Sequence, residues 1–140
     1  MKRNIPKLNE AVKFHGHLGP YLVLGLLAGP GALKKINCPK YFGVELKVYG
    51  ATQRPKSCLI DGLQLSTGAT FGKGNIKKFN GRKIKIFFVN KRTDKKICLK
   101  IREDINKSLE GLRDHQDAES FARKLYRISF SKVFEQSAYD

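Results

Sequence analysis

Apolar positions are densest early in the chain, where PYLVLGLLAGPGALKKI sets Leu22, Leu24, Leu26, Leu27, Leu33 and Ile36 around nearly every side. That crowding predicts a buried helix from Pro20 to about Ile36, with Pro20 in the first turn, where its missing N–H costs nothing. Gly25, Gly29, Pro30 and Gly31 interrupt the pattern. Small residues there either weaken the helix or let another element pack closely, with a kink near Pro30. Upstream, PKLNEAVK predicts a short helix with proline near its start.

The period then changes. From Gly43 to Gln53, Val44, Leu46 and Val48 alternate with Glu45, Lys47 and Tyr49, the pattern of a half-buried strand. SCLIDGLQLSTG returns to helical spacing, with Ser57 as a plausible N-cap and Gly68 as the stop. After ATFGKGN come three predicted strands, near 76–79, 84–90 and 96–101. Asn80-Gly81 and Arg92-Thr93-Asp94 are their turns, which predicts successive hairpins. Residues 103–134 predict two helices broken near Arg113-Asp114-His115. The order helix, strand, helix, three strands, helices predicts an α+β fold, a mixed or antiparallel sheet covered by helices, in one domain over 1–140.

Length and composition fit that fold: 140 residues, 41% of them hydrophobic, match a globular chain and exclude disordered and fibrous classes. The basic N-terminus has no apolar stretch behind it and YLVLGLLAG is too short to span a bilayer, which predicts a cytoplasmic protein without a signal peptide. Cys38, Cys58 and Cys98 are odd in number and form no CxxC pair, which argues against a disulfide framework. Cys98 looks like a core residue on a strand and Cys38, before Pro39, like a loop thiol.

Charge adds a second possibility. With 28 Lys and Arg against 12 Asp and Glu the net charge is +16, enough to attract polyanions at low salt. The lysines fall in every segment, so a solvated Lys-rich surface of the kind found in hot-growing organisms explains the number equally well.

The candidate chemistry lies in two stretches. In FHGHLGPY, His15 and His17 flank Gly16, whose freedom allows both imidazoles to turn into one pocket, and a thiolate from Cys58 would complete a mixed N/S set suited to zinc or a related metal. The alternative is a satisfied histidine pair near a helix start. Asp61 and Gln64 follow Cys58 at i+3 and i+6. Asp61 could orient a ligating histidine, act as a base, or merely favour the helix dipole. GATFGKGN has one residue too few before Gly-Lys for a P-loop, and Gly74 replaces the magnesium-binding hydroxyl. Gly72, Lys73, Gly74 and Asn75 form either a small anion-binding nest or a tight turn from helix into strand. His115, in a polar junction with no thiol nearby in sequence, is read as a surface or capping residue.

Together the two blocks resemble the E-subunit (FmdE) family of formylmethanofuran dehydrogenase, found in archaea and anaerobic bacteria. His15, Gly16, His17 and Pro20 match the family's H-G-H-x-C-P-G block. Cys58, Asp61, Gln64, Thr67, Gly68, Thr70, Gly72, Lys73, Gly74 and Asn75 match its C-x-x-D-A-I-Q-x-x-T-G-C-T-x-G-K-G-N block. The resemblance implies an α+β domain over nearly the whole chain, with zinc or another divalent transition metal between the histidine block and the cysteine-led helix. His17, Cys58 and His15 are then the ligands, supported by Asp61, Gln64 and Thr70. The sequence departs from the family at Gly19 and Ala69, where relatives carry cysteines, and at Tyr21, where they carry glycine. Compared with many relatives it reads as a short form, without their C-terminal cysteine-rich segment.

The leading expectation is a metal-binding protein accessory to formylmethanofuran dehydrogenase or another molybdenum or tungsten one-carbon enzyme. One rival is a metal-dependent enzyme acting on a small anionic substrate held by Lys73 and the glycine amides. Another is a basic nucleic-acid-binding module built on IKKF, GRKIKI and NKRTDKKI. A homodimer is expected, since a glycine-lined helix could pack against a twin.

Overall fold

The computed structural model describes residues 4–137. In chain order its elements are α1 (Leu8–His15), α2 (Pro20–Lys35), β1 (Val44–Tyr49), α3 (Cys58–Thr67), β2 (Ile76–Phe79), β3 (Lys85–Asn90), β4 (Lys96–Ile101), α4 (Glu103–Glu110), α5 (His115–Leu125), α6 (Phe130–Val133) and β5 (Phe134–Ser137). This is the α+β architecture the periodicity predicts.

One mixed sheet runs in the order β2-β1-β3-β4-β5. β1 lies inside it, parallel to β2 with Tyr49 opposite Phe79, and antiparallel to β3 with Lys47 opposite Phe87. The β3–β4 hairpin forms as predicted. The hairpin expected at Asn80-Gly81 does not, because β1 occupies the place between β2 and β3. Two further corrections concern the tail. The helix expected to reach Phe134 stops at Leu125, and after one turn of α6 the chain adds β5 antiparallel to β4, with Arg102 N donating to Val133 O at 2.9 Å. Ser57 does not cap α3: its backbone is already right-handed helical and its side chain makes no capping bond.

The inner face of the sheet supplies Val44, Leu46, Val48, Ile86, Phe88, Ile97 and Leu99 to the core, where α2 and α3 add Val23, Leu24, Leu27, Leu59 and Leu63. α2 continues through Pro30 as one helix. Its glycines serve close packing. A Cβ on Gly25 would stand 2.7 Å from Leu63 N, and one on Gly62 would stand 2.9 Å from both Leu26 N and Gly25 Cα. Ser66 Oγ then donates to Gly25 O at 2.8 Å. The two helix backbones therefore touch, and that contact sets the distance between the segment entering α2 and the start of α3. Cys38 lies in a loop, as expected, yet is buried with the core, and Cys98 is buried on β4. No described helix is long and apolar enough to cross a membrane.

Candidate metal centre

α1 ends at His15, and Gly16 follows with φ 109°, returning its N–H to Val12 O at 2.7 Å. An added Cβ at Gly16 would meet nothing within 4 Å, so the demand for glycine here comes from its left-handed backbone alone. This reversal brings the two imidazoles together with ring centroids 4.7 Å apart. Cys58, the first residue of α3, meets them. The candidate ligand atoms of His15, His17 and Cys58 all lie within 4.8 Å of one another.

Asp61 stands one turn along α3 from Cys58, and its Oδ2 accepts from His15 Nδ1 at 2.6 Å. The His15 side chain is 10% exposed. Its Nε2 is buried and has no hydrogen-bond partner. A buried polar atom left unsatisfied costs about 1–3 kcal/mol. An imidazole fixed by a carboxylate at Nδ1, with Nε2 free beside a second histidine and a thiol, has the arrangement of a metal ligand. The donor set, two imidazoles and a thiol, fits a borderline-soft ion such as zinc. Without an ion, burial pushes the Cys58 thiol pKa up and the Asp61 carboxylate adds to the rise, against a smaller opposing pull from Arg54.

The other expected site residues are placed differently. Gln64 Oε1 accepts from Phe71 N at 3.1 Å, Thr70 Oγ1 accepts from Lys73 N at 3.1 Å, and Asn75 Oδ1 accepts from Thr70 N at 2.9 Å. Gly74 N donates to Thr70 O at 3.0 Å, and Lys73 Nζ donates to Gly68 O. Asn75 Nδ2 ties the loop to Tyr41 O and Val44 O at 3.0 and 3.2 Å. The backbone N–H groups of residues 70, 71, 73 and 74 thus bond within the chain, in the turn that carries α3 into β2.

Two clefts open beside the three candidate ligands. One, of about 260 Å³, is lined by His15, Arg54, Cys58, Asp61, Phe71 and Lys78. The other, of about 370 Å³, is lined by His17, Gly19, Tyr21, Cys58, His115 and Glu119 among others. His115, exposed at the start of α5 as the surface reading expects, also shares a cleft wall with Cys58, because α5 packs on α2. Nothing local in the sequence links Arg54, Lys78 or His115 to the histidine block, and packing brings them to these clefts. The two departures also have places. A Cβ at Gly19 would lie 3.5 Å from His17 Nε2, whereas Ala69 is fully buried in the main core.

No curated protein matches the chain. Among solved structures, the crystal structure of an FmdE-like protein of the tungsten formylmethanofuran dehydrogenase type, from Syntrophus aciditrophicus, superposes with a TM-score of 0.64 at 20% identity. The match covers 93% of this chain and 68% of that one. The likeness supports the fold. A family model for FmdE, described by the molybdenum formylmethanofuran dehydrogenase operon, matches residues 14–136, a span that starts at Phe14 and takes in the histidine block, α3 and nearly the whole sheet. The chain belongs to the FmdE family.

Proposed function

We propose that the chain is a metal-binding FmdE protein that works beside formylmethanofuran dehydrogenase or another molybdenum or tungsten one-carbon enzyme, with zinc as the favoured ion. The observation that carries the metal reading is the buried, unpartnered Nε2 of His15. His15, His17 and Cys58 would hold the ion, Asp61 would fix the His15 ring through Nδ1, and the partner enzyme is inferred from the operon that describes the family. Three free thiols suit a reducing cytoplasmic setting. A bound divalent ion would supply Lewis acidity and activate a coordinated ligand.

The experiment is elemental analysis of protein purified without an affinity tag or chelator, beside Cys58→Ala and His17→Ala. About one equivalent of metal in the parent, lost from both variants, is expected. Equal metal content in all three defeats the reading.

A second reading, a metal-dependent enzyme on a small anionic substrate, is favoured by one observation. Arg54 and Lys78 line the cleft that also contains Cys58, and neither forms an ion pair with a described acidic residue. The exposed Phe71 ring forms an apolar wall there. In this reading these two cations, and not the turn around Lys73, hold the anion. Arg54→Ala with Lys78→Ala would abolish any turnover of an anionic substrate while leaving metal content unchanged.

A further inference from the structure

The sheet has a second face, away from α2 and α3. The registers place Lys47 and Tyr49 of β1, Lys77 and Phe79 of β2, and Lys85 and Phe87 of β3 together on it. Each alternates with a buried inner-face neighbour in β1 and β3, and each is itself exposed or half-exposed. At its centre Tyr49 stacks on Phe79 at 4.9 Å and meets Phe87 edge-on at 5.5 Å.

At the Tyr49 end a groove of about 600 Å³ is lined by Tyr49, Gly81, Arg82, Lys83, Lys85 and Phe87. Three of those six residues are cations and none is acidic. Lys47, Lys77, Arg82, Lys83 and Lys85 form no ion pair with a described carboxylate. Glu45, on the same face, is engaged at 3.9 Å by Lys91 at the far end of β1. Arg82 and Lys83 also border a cleft carrying Glu103 and Glu110, without ion-pair contact to either.

We propose that this face, centred on Tyr49 and Phe79 and rimmed by Lys47, Lys77, Arg82, Lys83 and Lys85, binds single-stranded nucleic acid, phosphates along the cations and bases against the aromatic cluster. Charge complementarity selects a polyanion. The aromatic rings select one with exposed π-faces, which a single strand offers and a duplex hides in its stack. A flat face also lacks the projecting helix or ribbon that reads a major groove. A second copy of the chain is disfavoured, because two such faces would oppose lysine to lysine. The site is separate from the His15–His17–Cys58 centre and stands whether or not that centre holds metal.

The test is fluorescence anisotropy with labelled twelve-residue oligouridylate at 50 and 200 mM salt, using the full chain. Saturable binding that weakens steeply with salt is expected. Tyr49→Ala and Phe79→Ala should each weaken it about 5- to 100-fold with little change in salt slope. Lys77→Glu with Lys85→Glu, at exposed positions that preserve the melting temperature, should weaken it and flatten the slope, while Lys124→Glu on α5 should match the parent. The proposal is overturned by no binding at 50 mM salt, or by loss of affinity in the charge variants with none in well-folded aromatic variants, which marks a charged surface only. Binding to phosphatidylserine vesicles that the oligonucleotide fails to displace also overturns it.

Discussion

Asp61 reaches His15 across 46 residues of sequence, Oδ2 to Nδ1 at 2.6 Å, and leaves the opposite ring nitrogen buried and unpaired. The bond fixes both the tautomer and the aim of the ring. Asp61→Asn keeps the shape but weakens the acceptor and allows the ring to turn. Zinc affinity, read by competition with a chromogenic chelator, should fall about 10- to 100-fold. Gln64→Ala, one turn further along α3 and bonded to Phe71 N instead, should leave it unchanged.

Gly19 stands where the H-G-H-x-C-P-G block that the sequence resembles leads to the expectation of a cysteine. Its backbone is extended, φ −145°, and open to any residue, and a Cβ there would stand 3.5 Å from His17 Nε2. Gly19→Cys should therefore bring a second thiolate to the three candidate ligands. Substituted with cobalt, the variant should show stronger thiolate-to-metal charge-transfer absorption than the parent and hold the ion more tightly. Spectra identical to the parent would mean that the site cannot use sulfur from that side.

The Cys58 thiol is pushed up by burial and by Asp61, so the folded, metal-free protein holds its proton more tightly than an unstructured cysteine does. The sign follows directly: at neutral pH less thiolate is present, and Cys58 should alkylate with iodoacetamide more slowly than a free cysteine peptide. Raising the pH through the elevated pKa should restore the rate. Zinc should block the reaction at every pH where it binds, since the ion takes the thiolate. Mass mapping of the modified cysteine separates Cys58 from the buried Cys38 and Cys98.

Where the backbones of α2 and α3 touch, one methyl group is too many. Gly62→Ala forces the pair apart against Leu26 N and Gly25 Cα, both 2.9 Å from the added carbon. Overpacking of this kind costs about 1–3 kcal/mol, a fall of several degrees in melting temperature. Gly74→Ala is the contrast: its added Cβ meets nothing within 4 Å and only the left-handed φ of 77° opposes it, so a smaller loss is expected.

Much of the fold was legible because its elements announce themselves locally. Crowded leucines marked α2, strict alternation marked β1, and Gly68 in the left-handed region ended α3. Strand partners were less so. Asn80-Gly81 is a local turn signal, but which strand lies beside β2 depends on β1, a segment already made and waiting with a free edge. β5 escaped notice because Phe134–Ser137 is short, polar at its end and shows no sustained alternation. In the candidate site, residues that share a motif were found together, whereas Arg54, Lys78 and His115 arrive from turn, strand and helix through packing alone. Asn75 joins distant segments in a way no motif announces: its side chain spans Thr70, Tyr41 and Val44 within the chain.

The position of β1 inside the sheet bears on how the chain comes into being. Both of its neighbours follow it in sequence, so during synthesis β1 must wait for Ile76–Phe79 on one side and Lys85–Asn90 on the other. His15, His17 and Cys58 lie on α1, on the link into α2 and on α3, all of which are made by Thr67. The three side chains therefore leave the ribosome with their scaffold before the sheet can close, and an ion captured at that stage would hold the N-terminal part of the molecule together while β1 still lacks its partners.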